Sequence, residues 1–153
     1  MTYRKLTLEE LEALQPEFVR FLASQSITAA DWKKMTTQNP EKSSEWIAIF
    51  SDMVIEKSLR QVSYLEHRTA QELKIFHCDD EKITLISIDV TDEKFDFLNN
   101  NLADLANVDF SKISVSQISK KYHLPREREI FGMLSWGCSL SNKSTFDALQ
   151  KLV

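Results

Sequence analysis

The nine residues KITLISIDV, 82–90, constrain this chain more than any other segment. They are rich in β-branched side chains, which suit a pleated strand. Strand alternation puts Ile83 and Leu85 on one side and Ile86, Ile88 and Val90 on the other. A strand that is apolar on both sides is a central strand. The preceding ELKIFHC alternates, with Leu73, Ile75 and His77 on one face and Lys74, Phe76 and Cys78 on the other. DDEK between the two reads as a turn, so 72–90 is predicted as a hairpin. VSYLEHR before it reads as a third strand and SKISVSQIS after it as a fourth.

Helices flank this sheet region. Thr7 and Glu10 form a capping-box pattern, and Leu11, Leu14, Phe18 and Leu22 follow at helical spacing. Pro16 is expected to kink that segment or restart it as a second helix. Thr28 with Asp31 caps a short helix through Trp32 and Met35. Asn39-Pro40 opens a longer one, with Trp46, Phe50, Met53 and Val54 expected inward. Residues 91–110 read as an acidic loop with a weak helix near LADLA. Pro125 starts PREREIFGMLSW with Gly137 as its C-cap, and Ser141 or Asn142 caps a last helix. The expected architecture is α+β: a small antiparallel sheet of three to four strands packed between N-terminal and C-terminal helices. One domain over 1–153 is expected, with a helical layer at 1–61, the sheet region with its acidic loop at 62–117, and C-terminal helices at 124–153.

LTLEELEALQPEFVRFLASQSI, FSDMVIEK, YLEHR and REREIFGMLSWG together resemble an uncharacterised family of small bacterial proteins of unknown function. The resemblance covers nearly the whole chain and implies a single cytoplasmic domain. Its motifs are apolar and charged patterns, so it brings no activity, ligand or site residue with it.

Composition narrows the function classes. Two glycines in 153 residues leave no G-x-G-x-x-G or G-x-x-x-x-G-K string for cradling phosphates. MTYRKLTLEE contains no apolar stretch, and the longest apolar run is WIAIF, far short of the about 20 residues of a membrane span. The reading is a cytoplasmic protein, with Cys78 and Cys138 as reduced thiols and no membrane association. Charge is segregated. Residues 76–111 hold nine acids against two lysines, whereas 112–128 hold five bases against one acid. The formal net charge of −4 argues against a dedicated nucleic-acid binder but leaves a local basic patch.

The most reactive residue types lie in YLEHRTAQELKIFHCDD, 64–80. His67, His77, Cys78, Asp79 and Asp80 supply every ligand type that zinc takes. A tight hairpin, however, pairs His77 with Tyr64 and His67 with Lys74, and so turns the histidines to opposite faces. A slip of one residue would return them to one face, still separated along the strand. Cys78 with His67, or Cys138 with His123, is a conceivable nucleophile–base pair that lacks a local signature. Glu66, Asp79, Asp80, Glu81 and Asp89 read as solvated carboxylates. The pair Tyr64 and His77 is the candidate surface site.

SQISKKYHLPRER looks like a helix-turn-helix, but His123 stands where the turn glycine belongs and Ile130 falls out of phase. Lys120, Lys121, Arg126 and Arg128 remain candidates for contacting phosphates or a partner, with Tyr122 available for stacking. The leading expectation is a non-enzymatic cytoplasmic protein–protein interaction or adaptor domain, with a protein partner and no cofactor. RNA or nucleoprotein binding through 120–128 is the alternative. A metal-dependent enzyme built on His67 and His77 is the second.

Overall fold

A computed structural model describes residues 1–153. The chain divides into two compact units, Met1–Leu59 and Arg60–Val153. The class is α+β, with an antiparallel sheet of five strands and helices before and after it. No helix is long and apolar enough to cross a membrane.

The first unit is built from α1 (Leu8–Ala13), α2 (Gln15–Ser24), α3 (Ala29–Gln38) and α4 (Pro40–Arg60). Capping boxes at Thr7/Glu10 and Thr28/Asp31 start α1 and α3. Each satisfies two helix-end amides reciprocally. Pro16 falls in the first turn of α2. A proline there needs no amide, but its ring forbids α1 from running on, so the chain breaks at Leu14. Phe21, Leu22 and Phe50 are buried and form the core with the half-buried Phe18, Trp32 and Trp46. Phe18 packs on Phe50 at 5.0 Å and edge-on to Trp32 at 5.1 Å. The N-terminal segment is tied to α4: the Thr2 and Tyr3 amides donate to the Asp52 carboxylate, and the Leu6 amide donates to the Ser51 hydroxyl at 2.9 Å. Met53 is a correction, since it is exposed. At about 100° per residue it lies about 60° from Phe50 and 100° from Val54, turned toward the exposed Ile49.

The second unit holds β1 (Tyr64–Arg68), β2 (Glu72–Cys78), β3 (Lys82–Val90), β4 (Ile113–Lys121) and β5 (Ser139–Leu140). The strand order is β4-β3-β2-β1-β5, every pairing antiparallel. The expected central strand, β3, lies between β2 and β4. The fifth strand is an addition to the expected three to four: two residues that pair with Leu65 and Glu66.

Helices of this unit lie on both faces of the sheet and leave residues 116–121 of β4 exposed. On one face, Leu73, Ile75, Ile86, Ile88 and Val90 pack with Phe146 and Leu149 of α6 (Lys143–Gln150). Phe95 and Phe97 join that core from the acidic loop. On the other face α5 (Arg126–Trp136) follows the β1–β2 hairpin. Arg126 at its start bonds the Val62 and Cys78 carbonyls, and Trp136 at its end stacks on His67 with ring centroids 5.6 Å apart. Eleven helical residues and five strand residues both span about 16 Å, so the two ends can be pinned together. The expected weak helix near LADLA is a pair of 3₁₀ helices, Leu102–Asn107 and Phe110–Lys112.

Candidate functional site

Tyr64 and His77 are cross-strand partners. Their rings stack at 4.7 Å with 11° between planes, and Phe146 of α6 lies 5.7 Å from the tyrosine ring and 5.5 Å from the imidazole. The pair is therefore a half-buried aromatic stack under α6. His67 pairs with Lys74, so it lies on the opposite face beside Trp136. Gly137 stands 3.8 Å from the His67 ring at the position a Cβ would take, and its φ of 127° suits glycine at this helix end. No three His, Cys, Asp or Glu side chains are grouped to hold a metal ion.

Cys78 and Cys138 are free and buried. Burial pushes the Cys78 thiol up to about 11 against the favourable charge of Arg126, and burial also raises Cys138. Both are protonated at neutral pH and are poor nucleophiles. Unfolding returns Cys78 to its usual value near 9. The native thiol thus keeps its proton to higher pH than the unfolded one. Its contribution to stability is complete below about pH 9 and disappears as pH rises through about 11. Urea midpoints measured from pH 8 to pH 11 should fall more steeply for the wild type than for Cys78→Ala. Parallel slopes would exclude this account.

The basic residues of 120–128 do not form one patch. Lys120 and Lys121 are exposed neighbours on β4 and so point to opposite sides of the sheet. The Tyr122 hydroxyl donates to the Asp79 carbonyl at 2.6 Å. Arg126 turns inward, its side chain 12% exposed, and donates to the carbonyls of Val62, Cys78 and Asp79. Arg128 remains exposed. Lys120, Lys121 and Arg128 are the members of the group that face solvent.

Strand β4 is the long open border of the sheet. The Thr91 amide donates to the Lys112 carbonyl at 2.9 Å, in register with the β3–β4 ladder. Bonded and non-bonded pairs alternate in an antiparallel ladder. Ser114, Ser116, Ile118 and Lys120 therefore bond to β3, whereas Val115, Gln117, Ser119 and Lys121 turn their amides and carbonyls outward. The nine-residue pairing is unbroken by a bulge, and the strand has no proline. Residues 116–121 are all exposed, including Ile118 at 62%. Natural edges are usually shortened, bulged, covered or charged. Here only Lys120 and Lys121 at one end do that work.

Beside the other end of β4 lies an apolar hollow of about 640 Å³. Ile113 and Val115 form one wall, Ala148, Leu149 and Leu152 another, and the 102–108 segment a third, with Phe110 at the mouth. This hollow was not anticipated. Its sequence signal is the spacing of Leu102, Leu105 and Val108, three apart, which is the repeat of a 3₁₀ stripe.

No curated protein and no solved structure matches this chain. A model described as a family of unknown function, DUF6495, matches residues 1–153, and the chain belongs to that family.

Proposed function

We propose that this chain is a cytoplasmic, non-enzymatic protein-interaction domain whose β4 edge takes up an extended, acidic segment of a partner as a sixth strand. The open edge carries this reading. Four consecutive outward residues offer donors and acceptors at strand spacing, and an added strand would bond all of them. Charge suggests the partner's chemistry. Lys121 pairs with Lys82 of β3 on one face, and Lys120 projects from the other, so this end of the edge is basic on both faces. Lys120 and Lys121 form no ion pair within the chain, and an acidic residue on the incoming strand beside Lys121 would offset the repulsion between Lys121 and its cross-strand neighbour Lys82. The two free thiols suit a reducing compartment.

Gln117→Pro tests the edge. The Gln117 amide points away from β3, so proline removes an outward donor without breaking the existing ladder. Tagged wild-type and Gln117→Pro proteins would be used as baits in native lysate. The expected result is a stoichiometric protein retained by the wild type and lost by the variant, with circular dichroism unchanged. A partner held equally by both, or none held by either, defeats the reading. Release of all bound material by nuclease would assign the lysines to nucleic acid instead.

A further inference from the structure

Every residue lining the hollow beside β4 is Ala, Leu, Val, Ile or Phe. Its volume of about 640 Å³ lies within the range of about 300–1,000 Å³ typical of small-molecule sites. A polar ligand buried here would lose water and find no side-chain hydrogen-bond partner, which disfavours sugars, nucleotides and amino acids as occupants. The space exists because Ala103, Ala106 and Ala148 stand on its walls, where longer aliphatic side chains would fill it. A protein partner is a poorer fit. A stable interface needs about 800 Å² from each side, whereas Asn101, Asn107, Asp109 and Lys112 near the hollow in sequence are polar and exposed and leave Phe110 as the large apolar residue exposed among them.

We infer that this hollow binds a hydrocarbon chain, the alkyl part of a fatty acid or lipid, with the head group left in water. The inference is independent of the β4 edge reading, because the hollow is lined by side chains and the edge by main-chain groups. The chain's source is either a free fatty acid or a membrane phospholipid.

The test is calorimetric titration with octanoate, decanoate, laurate and myristate, each kept below its micellar concentration. Affinity should rise by up to about fourfold per added methylene, the equivalent of about 0.8 kcal/mol, and level off once the chain outgrows the hollow. Stoichiometry should be one to one. Dodecanol should bind like laurate, since no lining side chain reads the head. Ala106→Trp and Ala148→Trp fill the space from two walls. Each should weaken laurate binding at least about tenfold while leaving circular dichroism unchanged, and the chain-length series remains informative if one of them fails to fold. Phospholipid vesicles distinguish the sources. Transfer of lipid to the wild type but to neither variant assigns the membrane, and binding of fatty acid without such transfer assigns the free acid. The inference falls if no chain binds saturably, if affinity climbs without levelling off, or if both variants bind as the wild type does.

Discussion

Phe97→Ala will lower the stability of the Arg60–Val153 unit by about 4 kcal/mol. Phe97 is 1% exposed and lies in the core that covers one face of the sheet. Truncation removes the ring and leaves a cavity against Leu73, Ile88 and their neighbours, and both terms destabilise. It also removes the edge-to-face contact with Phe95, at 4.8 Å and 83°, worth about another 1 kcal/mol. The backbone offers little escape by local collapse. The Phe97 amide donates to the Ala70 carbonyl at 2.9 Å, and the Phe97 carbonyl accepts from Arg68 at 3.3 Å. The loop is thus held to the β1–β2 turn while the cavity remains. Because whole domains are stable by only about 5–15 kcal/mol, the loss should appear as a large shift in urea midpoint. Hydrogen exchange should accelerate across β2 and β3. Phe110→Ala provides the contrast in the same loop: at 83% exposed, it should change stability by less than about 0.5 kcal/mol. Equal effects of the two substitutions would show that the loop does not contribute to the core.

The acidic loop shows where the sequence stops being legible. β2 and β3 can be read directly because one turn joins them and their side chains alternate. In that turn the Asp79 carboxylate accepts from the Glu81 and Lys82 amides at 2.8 and 2.7 Å, a local geometry that aspartate itself encodes. The Tyr64–His77 pairing depends on the same alternation, because a one-residue slip of β1 against β2 would turn the buried Leu65 to the other face. Phe95 and Phe97, by contrast, sit among aspartates and asparagines with no helix or strand period, and only the completed sheet gives them a surface to cover. β5 is too short to carry a pattern. β4 can be recognised as a strand from the sequence, but its place at the border depends on strand order, which is a property of the whole sheet. The hollow is harder still, since it is made by what the alanines do not fill. The most misleading residue was Arg126. In the sequence it belongs to a basic run, and in the fold its charge faces main-chain carbonyls.

Arg126→Ala will destabilise the same unit by about 3 kcal/mol, because hydrogen bonds from a charged donor are worth about 1.5–3 kcal/mol each and carbonyls left unpaired add a desolvation cost. Three carbonyls depend on this one guanidinium: Asp79 at 3.1 Å, Cys78 at 2.9 Å, and Val62. They lie where β1 begins and β2 ends, so one side chain ties both strand ends to the first turn of α5. Lysine carries the same charge but has one nitrogen at its tip and cannot reach three acceptors spread around a planar fork. Arg126→Lys should therefore recover only a minor part of the loss. If Arg126 acted mainly through its charge toward a partner or a phosphate, lysine would restore it and alanine would leave the fold intact. Tyr122 sharpens the distinction because its hydroxyl donates to the same Asp79 carbonyl. Two donors on one acceptor make the substitutions non-additive. In urea unfolding, Tyr122→Phe should cost more in the Arg126→Ala background than in the wild type, because the phenol is then the remaining one of the two donors to that carbonyl. Strict additivity would mean that the two donors act independently, and the clamp on the hairpin end would then rest on the Cys78 and Val62 carbonyls alone.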